Sequence, residues 1–71
     1  MNQTYSVIQP FTATEPISGR ERQFKVGDML LYDMSQTGPS VLIEFEWSRF
    51  MVERSIFTSC CRIVNSGTGG D

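Results

Sequence analysis

Glu44, Glu46 and Glu53 come nearest, by type and spacing, to residues of this chain that could do chemistry. Two carboxylates at alternate positions of one strand, with a third returning beside them, would put oxygen donors on one sheet face. Such a cluster suits a weak divalent-cation site or an acidic patch for a basic partner. It lacks the Asp/Asn/Gly arrangement of a dedicated calcium loop. A paired-carboxylate hydrolase would also need a cleft, and a convex sheet face offers none. The simpler account is a solvated face that discourages edge-to-edge pairing. Arg20, Arg22 and Lys25 form the local group of cations, and phosphate would be their natural ligand. Glu15, Glu21 and Asp28 dilute their field, and Tyr32 is the aromatic available to stack on a base.

Nucleophilic and metal chemistry find little support. The chain has no His, so the usual imidazole base and the usual zinc donor are both missing. Cys60 and Cys61 are adjacent, with no second pair and no activating neighbour in sequence. In a strand they would point to opposite faces, one buried and one near the surface, and both are expected to be reduced. Gly67-Thr68-Gly69-Gly70 opens no helix, so it is no phosphate loop. The expectation is no catalytic residue, no metal, no cofactor and no enzyme activity.

The elements that must position these groups are short. At 71 residues the chain is one domain, near the lower limit for an unassisted core, which makes self-association a live expectation. An apolar fraction of 39%, with five Phe, two Tyr and one Trp, is enough for a globular core. The net charge of −2, with six scattered Lys and Arg, argues against a dedicated nucleic-acid binder. No charged-then-apolar leader opens the chain, and no apolar stretch approaches the ~18 residues of a membrane span. The expected compartment is therefore cytoplasmic. Residues 1–64 are expected to form the domain, and residues 65–71, rich in Gly, Ser and Thr, a flexible and disordered tail.

Short β-branched and aromatic runs between Gly, Pro and Ser clusters predict an all-β fold. The first strand spans Thr4 to Gln9, followed by a polar excursion from Thr12 to Gln23 with a turn at Glu15-Pro16-Ile17-Ser18-Gly19. Arg20-Glu21-Arg22 should be solvated. Lys25-Val26-Gly27-Asp28 is the turn that launches a central strand, from about Asp28 to Met34. The third strand, Val41 to Trp47, alternates, with Val41, Ile43, Phe45 and Trp47 on the core face. A tight turn at Ser48-Arg49 would pair Trp47 with Phe50, and Phe45 with Val52. That register sets Glu44 against Glu53, a repulsion needing relief from solvent, a nearby Arg or a ligand. Leu42 and Met51 then lie outward among the glutamates, a hint of a protein contact or homo-oligomer interface. Were Trp47 at the rim, it could anchor a partner. Ile56 to Ser59 makes a short 3₁₀ turn before a last strand, Cys60 to Val64.

This pattern resembles the Src-homology-3-like (SH3-like) small five-stranded barrel, over roughly Tyr5 to Val64. Pro10 to Phe24 would be its long first, RT-type loop; Met34 to Pro39 the n-Src loop; Ser48-Arg49 the distal hairpin; Ile56 to Ser59 the 3₁₀ turn. Peptide-binding members hold proline-rich ligands on an aromatic groove. Here Val7-Ile8-Gln9-Pro10-Phe11 has only Phe11 as an aromatic counterpart, and Ser40-Val41 stands where the groove Trp lies, so polyproline recognition is not carried over. The catalytic type II dihydrofolate reductases share such a barrel, but Val52-Glu53-Arg54-Ser55 keeps only the Val of their Val-Gln-Ile-Tyr motif. The barrel pattern, the missing catalytic residue types and the apolar-plus-acidic outer face together suggest a non-enzymatic protein-interaction module of unknown partner, binding through the first loop and the outer face of the central hairpin and open to self-association. Its partner surface would be Leu42, Glu44, Glu46, Met51 and Glu53. The alternative is a small nucleic-acid-associated or regulatory barrel using Arg20, Arg22 and Lys25.

Overall fold

Gly27, at a φ of 100°, makes the backbone reversal that an L side chain would strain. Its N–H donates to the Val7 carbonyl at 3.0 Å, and the Asp28 carbonyl accepts from the Val7 N–H at 2.9 Å. The Asp28 carboxylate closes the turn by accepting the Lys25 N–H at 3.0 Å. The strand launched here starts at Met29 and lies between two others, as its apolar run predicts.

The computed structural model describes residues 2–64, and the tail expected at 65–71 lies outside the described residues. The elements are β1 (Asn2–Val7), β2 (Phe11–Thr14), β3 (Glu21–Phe24), β4 (Met29–Asp33), β5 (Ser40–Phe45), β6 (Ser48–Glu53), α1 (Arg54–Cys60) and β7 (Cys61–Ile63). The strands form one antiparallel sheet in the order β3-β2-β6-β5-β4-β1-β7. Among the described residues the fold is mostly β with one short helix. Among the described residues, no helix is long and apolar enough to cross a membrane.

Seven strands replace the expected five because the long first connection is itself a hairpin. Phe11 pairs with Phe24 and Thr14 with Glu21. Phe11, Ala13 and Phe24 alternate inward, and the Phe11 and Phe24 rings stack at 5.0 Å, which holds the hairpin on the core. Its turn lies where predicted: the Gly19 N–H donates to the Glu15 carbonyl at 2.8 Å.

The core lies on one face of the sheet. Val7, Phe24, Leu30, Val41 and Ile43 are its most deeply buried side chains. Tyr5, Tyr32 and Phe57 form a second aromatic group, with Phe57 4.6 Å from Tyr32 and 4.9 Å from Tyr5. Phe57 comes from α1, which takes the place of the expected 3₁₀ turn. No side chain caps its start, and it is held by burying Phe57 and Cys60 on one face. The expectation of one inward and one outward cysteine fails for the same reason. Cys60 ends the helix and Cys61 begins the strand, and the change of period lets consecutive side chains both point inward. Both thiols are free and buried. Burial, with Cys60 adjacent, pushes the Cys61 thiol up to about 12.

Candidate functional groove

The central hairpin positions the site, and its register differs from the expected one. Ile43 pairs with Phe50, Val41 with Val52, Leu42 with Met51 and Phe45 with Ser48. The turn is therefore Glu46-Trp47, two residues earlier than predicted, with both at positive φ (51° and 69°). Positive φ at both central residues is the type I′ geometry that matches the right-handed strand twist, and it favours Asn-Gly. A Glu-Trp pair in that conformation is strained by about 1–2 kcal/mol per residue. Trp47, expected in the core, is instead 96% exposed at the hairpin tip.

The new register also removes the predicted glutamate clash. Glu44 sits opposite Arg49, and Glu53 opposite Ser40 at the far end. Glu46 leaves the outer face altogether: its Oε1 lies 3.5 Å from Arg22 Nη2. The Arg22 guanidinium covers Phe45 at 4.6 Å from the ring centroid and approaches Phe24 at 5.8 Å. So the expected trio of glutamates is spread over turn, strand middle and strand end. Among the described residues, no group of three or more His, Cys, Asp or Glu converges as a metal-binding set.

Arg22 also stands apart from the rest of the basic group. It shares the inward side of β3 with Phe24, whereas Lys25 lies in the following turn and Arg20 in the preceding one. Tyr32, considered for base stacking, is buried, and its hydroxyl accepts from Arg54 Nη1 at 3.0 Å. Phe11, the expected aromatic counterpart of a peptide groove, is buried against Phe24.

Leu42 and Met51 do lie outward, 37% and 43% exposed and directly paired across the hairpin. The face around them is hollow, where a convex one was expected. A groove of about 470 Å³ is lined by Glu15, Pro16, Ile17, Leu42, Glu44, Trp47, Ser48 and Arg49. A second depression of about 300 Å³ shares Leu42, Glu44 and Arg49 and continues the strip toward Asn2, Leu31 and Asp33. Two hairpin tips contribute to the lining of the hollow. The β2–β3 tip carries Ile17, 97% exposed, and the β5–β6 tip carries Trp47.

The first loop was expected to take part in binding, but its Pro16 and Ile17 were not singled out, Arg49 was not placed on the binding surface, and Trp47 was assigned to the core. An apolar Ile inside a Pro-to-Gly turn was the available signal, since a turn buries nothing on its own. For Trp47, apolar alternation ran through the turn and disguised it as strand.

The strip is a mixed surface: the exposed Ile17 and Trp47, the half-buried Leu42, two carboxylates and a guanidinium all line it. It can seat apolar side chains and pair charges. Fold and groove together define a small antiparallel β domain with one hollowed outer face. No protein family, curated protein or solved structure matches the chain.

Proposed function

We propose that this chain is a non-enzymatic protein-interaction module that binds through the outer face of the β5–β6 hairpin and the tip of β2–β3. The carrying observation is Trp47: the largest side chain type, almost wholly in solvent, on a turn where a smaller residue would be more stable. Ile17, which lines the same groove, is as exposed, and a large aromatic beside apolar neighbours is the usual anchor of a binding surface. The partner surface then includes Leu42, Met51 and Glu44 from the expected set and adds Trp47, Ile17 and Arg49. Glu46, turned to Arg22, and Glu53, at the far end of the ladder, drop out of it.

The strand arrangement supports reading the domain as an SH3-like barrel. A long first hairpin corresponds to the RT-type loop, β5–β6 to the distal hairpin, and the helical turn leads into a last strand that pairs with the first. Binding would then use the distal and RT-type tips, away from the family's aromatic groove.

The test is a nuclease-treated capture from native lysate at physiological salt, comparing the native chain with Trp47→Gly and with the double variant Leu42→Ser, Met51→Ser. A stoichiometric protein retained by the native chain and lost from both folded variants is the expected result. Equal recovery by the variants would place binding elsewhere. A steep salt dependence of RNA or DNA binding that disappears with Arg20, Arg22 and Lys25 would favour the basic residues instead.

A further inference from the structure

We infer that Arg22 is a positioning residue: its guanidinium, laid on Phe45, fixes the Trp47 tip relative to the Ile17 tip and so sets the shape of the groove that both line. This rests on the interaction reading above and names what holds its binding surface in place. The two tips belong to separate hairpins, Ile17 to the turn of β2–β3 and Trp47 to that of β5–β6. β2 lies beside β6, yet the ladder between them is a single pair, Thr14 with Met51. One pair sets where the hairpins meet and leaves their angle to side-chain packing.

β3 supplies that packing from its inward side. Phe24 meets Phe45 and Phe50 edge to face, at 5.2 and 5.3 Å between ring centroids, and anchors the lower part of the second hairpin. Arg22, two residues earlier on the same side, reaches toward the tip. Its guanidinium lies 4.6 Å from the centroid of Phe45, the last residue of β5, and its Nη2 3.5 Å from Oε1 of Glu46, the first residue of the turn. The ladder partner of Arg22 is Ala13, which has neither charge nor ring to hold a guanidinium.

Of these two contacts the ring decides. The ion pair is 43% and 65% exposed on its two sides, where solvent leaves it little strength. A planar, weakly hydrated guanidinium stacks well on an aromatic face, and an ammonium does so poorly. The turn beyond Phe45 has no preference of its own for its shape, since Glu46 and Trp47 are both strained there. Arg22 is not among the residues lining the groove, so changing it leaves every lining side chain in place.

Time-resolved energy transfer from Trp47, the chain's single tryptophan, to an acceptor on Ile17→Cys reads the distance between the tips. Cys60 and Cys61 are buried, which directs the label to position 17. The chain with Arg22 intact is expected to give one narrow distance. Arg22→Lys and Arg22→Ala should each broaden it, while Glu46→Gln, which keeps the stacked guanidinium, should leave it unchanged. In capture from native lysate, unlabelled Arg22→Lys should retain the partner roughly 3- to 5-fold less well, with its circular dichroism unaltered. An unchanged distance in both Arg22 variants would overturn the inference. So would a native distance in Arg22→Lys, a Glu46→Gln chain that broadens as much as Arg22→Ala, or full capture by an Arg22→Lys chain whose tips have loosened. A native chain that captures nothing would remove the interaction reading alone, because the distances still decide what Arg22 holds.

Discussion

At the end of the β5–β6 ladder where Ser40 meets Glu53, polar groups are spent on holding the chain together. Arg54 donates from Nε to the Gly38 carbonyl at 2.7 Å, from Nη2 to the Gln36 carbonyl at 3.0 Å and from Nη1 to the Tyr32 hydroxyl at 3.0 Å. The Gln36 amide pairs with both backbone groups of Leu42 at 2.8 Å, standing in for a strand partner where the β4–β5 ladder has ended. At the opposite end, where Phe45 meets Ser48, the turn is strained and its largest side chain is in solvent. One guanidinium satisfying three oxygens is what selection for stability produces. An exposed Trp at positive φ runs against stability and needs another reason, such as binding.

The largest effect expected from this contrast is at the pinned end. Arg54→Ala leaves the Gly38 and Gln36 carbonyls and the Tyr32 hydroxyl to water and frees the whole 34–39 connection. The expected loss is about 2–3 kcal/mol, a fall of roughly 10–20 °C in the thermal midpoint by circular dichroism. Arg54→Lys should recover little of it, since a single ammonium cannot span three acceptors in a fixed fork. A midpoint unmoved by Arg54→Ala would break the comparison, because the pinned end would then hold nothing.

Trp47→Gly probes the other end and should move stability the opposite way. Glycine removes the strain of a β-carbon at φ 69°, offset in part by its greater freedom in the unfolded chain. The expected gain is about 0.5–1 kcal/mol, a rise of roughly 2–8 °C in the midpoint, together with loss of association. A destabilised Trp47→Gly would mean that the indole packs usefully in the monomer, and the functional reading of this tip would fall.

The two ends also differ in how far they could be read in advance. Alternation placed Val41 and Ile43 inward and Leu42 and Glu44 outward, because a strand's period of two survives any even shift of register. The turn was misplaced by two residues: Phe45 and Trp47 continue that alternation, and Glu46-Trp47 carries no Asn-Gly signal. The Gly27 turn was legible because only glycine takes its φ freely. By contrast, the Gln36–Leu42 pairing, the Arg54 clamp and the groove depend on where separate segments meet, which no local pattern encodes. The helix was missed because seven residues held by Phe57 and Cys60 have neither cap nor periodic stripe to announce them.

The smallest effect sharpens the contrast by pH. At the pinned end the Asp33 carboxylate accepts the Ser35 N–H at 3.0 Å and the Ser35 hydroxyl at 2.8 Å. These bonds, the backbone one foremost, hold its pKa down to about 2 from the ordinary 3.8. The folded chain therefore binds this proton less tightly than the unfolded one. Its stabilisation is complete above the ordinary value, shrinks as pH falls toward about 2 and is absent below. Because the carboxylate is exposed, the acid limb of the unfolding midpoint should be shallow. Asp33→Asn, which keeps an acceptor but does not titrate, should flatten that limb. Amide exchange at Ser35 and Gln36 should quicken in the same pH window, while the Glu46-Trp47 turn stays unchanged. An acid limb that persists in Asp33→Asn, or a turn that loosens before the 34–39 connection, would show that this carboxylate does not hold the pinned end.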